Sequence, residues 1–220
     1  MKRPANALAI AVLTLLHERP MHPYEMSRTL RHRSKEESIK LNYGSLYAVV
    51  ESLAKKGLVR AGETSREGNR PERTTYELTD SGEQAMHDWL AEMLREPTTQ
   101  FTDLEAALSL MGALDPDVVE DQLRHRLETL AKQSAQHAGL SAMLPDTFPE
   151  IFTVEGDYAQ HMRAAETEFV RGLVEKISSD QLGGIAIWRR MHELRESGHD
   201  GDDIQRKLAE EFPGVLDWEP

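Results

Sequence analysis

The spacing of hydrophobic residues changes twice between residues 42 and 97, and few folds accommodate that change. Up to Gly57 the spacing is that of a helix, and Gly57 stands where a helix commonly ends in a left-handed residue. The apolar residues on the inner face of this helix are Leu46, Val49, Val50 and Leu53. Residues 58–64 and 73–78 then alternate between polar and apolar side chains, which predicts a β-hairpin with a long tip between the strands.

Helices flank this helix and hairpin on both sides. The segments 5–18 and 23–31 have helical spacing, and Pro23 suits the first turn of the second segment. We expect residues 39–41 to form a short strand, with Asn42 as the N-cap of the helix that follows. After the hairpin, we expect Asp80 to cap a fourth helix, with Glu83 completing a capping box. Three helices, a hairpin and a capped helix in this order predict a winged helix-turn-helix domain over residues 1–97.

The second half of the chain is predicted to be entirely helical. A helix is expected over residues 101–113, and Asp115 and Pro116 favour the start of a long helix. A second long helix follows a loop that contains proline, and Gly183-Gly184 separates it from two short C-terminal helices. The predicted fold class is therefore mainly α with a small β-hairpin. We expect a helical dimerisation domain at residues 98–179 and a helical extension at residues 180–220, whose role the sequence leaves open.

The formal net charge of −12 argues at first against a nucleic-acid partner. Its distribution is uneven, because residues 1–97 carry 15 Lys and Arg against 14 Asp and Glu, whereas residues 98–220 carry 11 against 24. Within residues 19–79 the balance is +4, from 12 basic and 8 acidic residues. A locally basic domain joined to an acidic one is consistent with a DNA-binding head, so we expect double-stranded DNA to be a partner.

The N-terminal outer face of the third helix is expected to enter the major groove. Its side chains are small or form hydrogen bonds, and small residues let a helix approach the base edges. Arginines of the hairpin and polar residues of the second helix could hold flanking phosphates. The predicted DNA-binding residues are Tyr24, Arg28, Lys40, Asn42, Tyr43, Gly44, Ser45, Tyr47, Ala48, Arg66, Arg70 and Arg73.

Four motifs in residues 5–95 resemble the PadR family of bacterial transcriptional regulators. They are Pro20-Met21-His22-Pro23-Tyr24-Glu25-Met26, Tyr43-Gly44-Ser45-Leu46-Tyr47, Lys56-Gly57-Leu58-Val59 and Arg73-Thr74-Thr75-Tyr76-Glu77-Leu78-Thr79-Asp80-Ser81-Gly82. The similarity extends to about Ser179 through Phe101-Thr102-Asp103-Leu104-Glu105-Ala106-Ala107-Leu108 and Leu114-Asp115-Pro116, as in the larger family members. It implies a homodimer on a pseudo-palindromic operator, usually a repressor, released by a small aromatic or drug-like effector.

The long helices support a homodimer independently of the resemblance. Each carries an apolar stripe at near-heptad spacing, and we expect that a two-helix hairpin cannot bury both stripes by itself. The predicted dimerisation residues are Val119, Leu123, Leu127, Leu130, Tyr158, Met162, Phe169, Leu173 and Ile177. An effector pocket is predicted between the winged domain and the helical domain, lined by Leu15, Trp89, Met93 and Leu108.

Two other functions remain open at this level. The chain could be a protein–protein adaptor built on a degenerate winged-helix scaffold, or a DNA-binding protein with no effector. The sequence contains no cysteine, no His-x-x-x-His pair and no catalytic motif, so we expect no metal, no cofactor and no enzymatic activity. The absence of cysteine and of a long apolar run predicts a cytoplasmic protein without a membrane partner.

Overall fold

The computed structural model describes residues 7–39, 43–65 and 73–214. Two compact units divide the chain, Met1–Thr99 and Gln100–Pro220. The first unit contains the helices α1 (Ala7–Glu18), α2 (Pro23–His32), α3 (Tyr43–Lys55) and α4 (Asp80–Arg95) and the strands β1 (Val59–Ser65) and β2 (Arg73–Leu78). The second contains α5 (Asp103–Leu110), α6 (Pro116–Ser141), α7 (Val154–Ser178), α8 (Ile185–Glu196) and α9 (Gly201–Glu211). This order confirms the predicted fold class.

Helix α1 is the centre of the first domain. Eight of its residues are buried, on all sides of the helix, which is the pattern of a helix enclosed by neighbours. The core around α1 includes Met26 of α2, Leu46 of α3, Leu58 before β1 and Trp89 of α4. Because α1 is surrounded in this way, α2 and α3 each turn their opposite face outward.

The β-hairpin is antiparallel, and its register pairs Val59 with Leu78 and Ser65 with Arg73. The ladder is irregular between Ala61 and Thr64, as expected where a strand bulges. Met21, in the turn between α1 and α2, exchanges two backbone hydrogen bonds with Tyr76, of 2.9 and 3.2 Å. The turn thereby holds the hairpin against the helices.

The structure corrects the predicted cap of α4. The N-cap is Thr79 and not Asp80, because the Thr79 hydroxyl accepts the Gly82 N–H at 3.0 Å and also donates to the Gly57 carbonyl at 2.8 Å. The predicted capping box is wrong as well, since Glu83 lies 3.3 Å from the His17 ring instead. Gly57 does adopt the predicted left-handed conformation, with φ +70°. Of the strand predicted at residues 39–41, Ile39 lies in a bend, and the other two residues lie outside the described ones.

The two long helices pack against each other within one chain. Asp115 caps α6 as predicted, and Val119 and Leu123 of α6 pack with Val170, Val174 and Ile177 of α7. The predicted stripe of α6 is therefore used largely inside the chain. Its residues Val119, Leu123 and Leu130 are buried, and the first two pack against α7.

The stripe of α7 that was predicted for dimerisation is buried only near its C-terminal end. Only Ile177 of that stripe is fully buried, and Leu173 is half-buried. Tyr158, Met162 and Phe169 are more than half exposed. Helix α7 thus has two apolar faces: Val170 and Val174 pack on α6, and the predicted dimerisation face is largely exposed.

None of the described helices is long and apolar enough to cross a membrane.

Candidate nucleic-acid interface

Helix α3 has one face in the core and one face in solvent. Leu46, Val50 and Leu53 are almost fully buried. Gly44, Tyr47 and Ala48 are exposed, and Ser45 is half-buried. The two faces follow from helical geometry, because residues three and four apart lie on the same side. The side that the sequence analysis assigned to DNA is therefore the side that solvent reaches.

Helix α2 begins next to this exposed face. His22 is its N-cap, and its Nδ1 accepts the Tyr24 N–H at 3.1 Å. The His22 ring also lies edge-on to the Tyr47 ring, with centroids 6.3 Å apart. This aromatic contact joins the start of α2 to the exposed face of α3, and it was not predicted from the sequence. Tyr24 is half exposed and projects from the first turn of α2.

Carboxylates neutralise several cations of the first domain. Arg33 forms two hydrogen bonds with Glu18, of 2.5 and 2.8 Å, and lowers the pKa of that carboxyl group. Arg19 pairs with Glu25 at 2.6 Å. A third pair joins the hairpin strands, where Arg60 lies 2.9 Å from Glu77. These arginines are less available to phosphates than the charge count alone implies.

Arg28 differs from those arginines. Its side chain is exposed on α2, and no carboxylate of the described residues lies within ion-pair distance of it. Arg28 lines two shallow clefts, and Glu25 lines both of them, together with Tyr24 in one and with Thr29 and His32 in the other. A guanidinium in this setting can bind a phosphate without first breaking an ion pair.

The remaining predicted contacts are described only in part. Lys40, Asn42, Arg66 and Arg70 lie outside the described residues. Tyr43 is the first residue of α3, and the backbone of Arg73 begins β2 opposite Ser65. The structure therefore joins the start of α2 to the exposed face of α3 through His22 and Tyr47, Tyr24 and Arg28 follow on α2, and the hairpin tip stays a prediction.

Two of the four predicted effector residues line one cavity of the first domain. Leu15 and Trp89 are both buried in the core of the first domain. Leu15 and Met93 line a cavity of about 350 Å³ inside that domain, between α1, α4 and the segment after α2. Leu108 is a half-buried residue of the other unit. The cavity is also lined by Ile10, Leu30 and Leu90, which were not predicted, although they are apolar residues at helical spacing.

Metal binding has no support in the described part of the chain. Across residues 7–39, 43–65 and 73–214, no group of three His, Asp or Glu side chains is arranged to hold an ion.

Comparison with known proteins finds a family model that matches part of the first domain and solved structures with a similar fold. Residues 12–88 match the model of the transcriptional regulator PadR-like family. The negative transcriptional regulator PadR of Bacillus subtilis is 24% identical over 141 residues, which is 62% of this chain and 76% of the relative.

Two solved structures of Bacillus subtilis PadR share this fold. The complex with operator DNA has a TM-score of 0.62 at 18% identity. The match covers 78% of this chain and 99% of the PadR chain in that complex. The complex with p-coumaric acid has a TM-score of 0.58 at 17% identity. The match covers 81% of this chain and 99% of the PadR chain in that complex.

Proposed function

From the premise that this chain carries a PadR-like transcriptional regulator domain, we propose that it represses transcription as a homodimer on a pseudo-palindromic operator. The observation that carries the proposal is the division of α3, whose Leu46 and Val50 anchor it in the core while Gly44, Tyr47 and Ala48 face solvent. Small residues at that position let the helix backbone approach base edges in the major groove. Bacillus subtilis PadR, which shares this fold, has been solved with operator DNA.

The proposed mechanism divides the contacts between bases and phosphates. The exposed face of α3 reads base edges, and Arg28 and Tyr24 of α2 bind the flanking backbone. Arg66, Arg70 and Arg73 of the hairpin add phosphate or minor-groove contacts. Two such heads in a symmetric dimer read half-sites separated by about 10 base pairs or a multiple of that spacing.

A homodimer is supported by the apolar face of α7 that the chain leaves exposed. Tyr158, Met162 and Phe169 stand on that face with exposures of 65%, 55% and 56%. Large apolar side chains grouped on one face favour a protein partner. We assign the proposed interface to these three residues together with the half-buried Leu127 and Leu173, whereas Val119, Leu123, Leu130 and Ile177 are already used inside the chain.

DNA binding is tested with the DNA upstream of the protein's own gene and an unrelated duplex of equal length. Ala48→Asp places a carboxylate on the groove-facing side of α3, where it would repel phosphates. We expect affinity for the upstream DNA to fall at least about tenfold. Ala209→Asp makes the same change at an exposed position of α9 and should leave the affinity unchanged. Equal binding by Ala48→Asp and the wild type would contradict the proposal and favour the adaptor function.

We also propose that a small-molecule effector binds in the first domain. The cavity of about 350 Å³ in the first domain has the size of a small-molecule site, and apolar residues form most of its lining. It is also lined by Lys35, Ser38 and Ile39, which precede α3 in the chain, so a bound molecule would act on the segment that leads into the recognition helix. Bacillus subtilis PadR has been solved with p-coumaric acid, which is a small aromatic molecule.

The effector site is tested by filling the cavity. Thr14 lines it and is exposed, so Thr14→Leu should occupy part of the space without disturbing the core. With p-coumaric acid and related phenolic acids as probes, we expect the wild type to release upstream DNA and Thr14→Leu to retain it. If no probe releases DNA from the wild type, the chain is a DNA-binding protein without an effector of this class.

A further inference from the structure

One turn of α8 contacts a segment more than 70 residues earlier in the chain. The Trp188 indole N–H donates to the Leu114 carbonyl at 2.8 Å. The His192 Nε2 lies 3.1 Å from the Gly112 carbonyl. Since a carbonyl only accepts, His192 must carry a hydrogen on Nε2. His192 is 7% exposed, so water has little access to this hydrogen bond.

The contacted segment is the joint between α5 and α6. A 3-10 turn, Met111–Ala113, follows α5, and Leu114 and Asp115 are extended before α6 begins at Pro116. Carbonyls at the end of a helix have no partner within the helix. The side chains of α8 supply partners for two of them. Rotation at Leu114 and Asp115 would change the direction of α5 relative to α6, so these hydrogen bonds restrain that direction.

Additional contacts hold α8 against the same region. Arg189 lies between two carboxylates, with Nη1 2.6 Å from Asp117 at the start of α6 and Nε 3.0 Å from Asp180. Ile185 is buried in the core between α6 and α7. Helix α5, by contrast, has no buried residue of its own. Only the half-buried Leu104 of α5 packs against the core between α6 and α7, so the joint adds to the restraint on the direction of α5.

Helix α9 stiffens α8 from the other side. Leu194 of α8 is buried with Ile204 and Leu208 of α9. Arg190 forms two hydrogen bonds with Glu211, of 2.8 and 2.9 Å. The two helices thus form a small unit with its own core, and α8 presents Trp188, Arg189 and His192 from a supported backbone.

We propose that α8 and α9, which we call the latch (residues 185–211), fix the α5–α6 joint through Trp188, Arg189 and His192. This assigns a role to the C-terminal extension that the sequence leaves open. Along the chain, α5 is the first helix after the winged domain. The further consequence, which rests on the proposed function, is that releasing the latch lowers operator affinity, because the joint then samples more conformations.

Hydrogen exchange on the full-length protein tests the latch without DNA. The double variant Trp188→Phe and His192→Leu keeps the apolar volume and removes both donors. We expect amides of residues 103–117 to exchange about tenfold faster, and those in the middle of α6 and α7 to be unchanged. Unchanged exchange at the joint would overturn the proposal. A uniform increase across the second unit would also overturn it, since the contacts would then be general packing.

Two single variants sharpen the test. His192→Gln places an amide N–H near the position of Nε2. The amides at the joint should therefore exchange more slowly in His192→Gln than in His192→Leu. Equal exchange in the two variants would count against the hydrogen bond. Arg206→Gln removes an exposed charge on α9 that pairs with Asp203 and should leave the joint unchanged. If the double variant exchanges faster at the joint but binds the operator as tightly as the wild type, the latch is supported and its effect on DNA binding is excluded. If the wild type does not bind DNA at all, the proposed function fails independently.

Discussion

Replacing Gly82 by alanine should destabilise the winged domain, although alanine is ordinarily the better helix residue. Gly82 is in the first turn of α4, where that turn meets the chain between α3 and β1. A Cβ atom built at Gly82 would lie 2.0 Å from the Leu58 carbonyl oxygen and 2.8 Å from Leu78 Cδ1. The closest ordinary contacts of carbon with a carbonyl oxygen are about 3.3 Å. The helix or the strand would therefore have to move by more than an ångström.

The expected loss follows from what that movement breaks. The Leu58 carbonyl accepts the Thr79 N–H at 3.2 Å and shares the single Thr79 hydroxyl hydrogen, at 3.0 Å, with the Gly57 carbonyl. Each of these two donors contributes about 1 kcal/mol. Overpacking lowers the free energy of unfolding by about a further 1–3 kcal/mol, whereas the higher helix propensity of alanine raises it by about 1 kcal/mol. The net loss is about 2–4 kcal/mol in the free energy of unfolding, a large part of the stability of a typical domain.

Urea unfolding followed by circular dichroism measures this loss, and peptide-resolved hydrogen exchange assigns it to residues 7–95. The matched control is Gly139→Ala in α6, because a Cβ atom there meets no atom within 4 Å. We expect Gly139→Ala to raise the unfolding free energy by up to about 1 kcal/mol. If Gly82→Ala were as stable as the wild type, the close approach of α4 to Leu58 would be refuted.

Four further changes have defined outcomes. Ser27→Ala should raise the unfolding free energy by about 1 kcal/mol in urea titrations, because the buried Ser27 hydroxyl has no hydrogen-bond partner among the described residues; a loss would reveal one. Arg28→Ala should make the slope of log K against log salt shallower by about 1.8 per dimer, measured by anisotropy; an unchanged slope would exclude a phosphate contact. Phe169→Asp should shift sedimentation from dimer to monomer, and a persistent dimer would place the interface elsewhere. Arg33 lowers the pKa of Glu18 below its ordinary value of 4.5, so this pair stabilises the fold at neutral pH and is lost as the pH falls through the lowered pKa. Glu18→Gln should then lower stability at pH 7 and have a smaller effect as the pH falls through the lowered pKa, and a loss independent of pH would contradict the charge effect.

Features of this protein that depend on a few neighbouring residues could be predicted from the sequence. The alternation of residues 58–64 predicted β1, the left-handed Gly57 was expected at the end of α3, and Asp115 with Pro116 predicted the start of α6. The outward face of α3 could also be predicted, because a helix with one apolar stripe has only one face to bury. Local conformational preferences and side-chain periodicity are sufficient for such features.

Only the tertiary structure decided which of two neighbouring residues caps a helix and which of two apolar faces of a helix is buried. Thr79 and Asp80 can both cap a helix, and Thr79 does so because its hydroxyl also reaches the carbonyls of Gly57 and Leu58. Helix α7 has two apolar faces, and the one containing Val170 and Val174 turns inward because it packs on α6.

The cavity in the first domain and the α8 contacts to the α5–α6 joint join residues that are distant in the chain. The hydrogen bond from Trp188 to Leu114 spans 74 positions, and the one from His192 to Gly112 spans 80. No periodicity or local motif encodes a contact over such a separation. These contacts form only when α6, α7 and α8 pack together, since packing brings the orphan carbonyls at the end of one helix within reach of the donors on another.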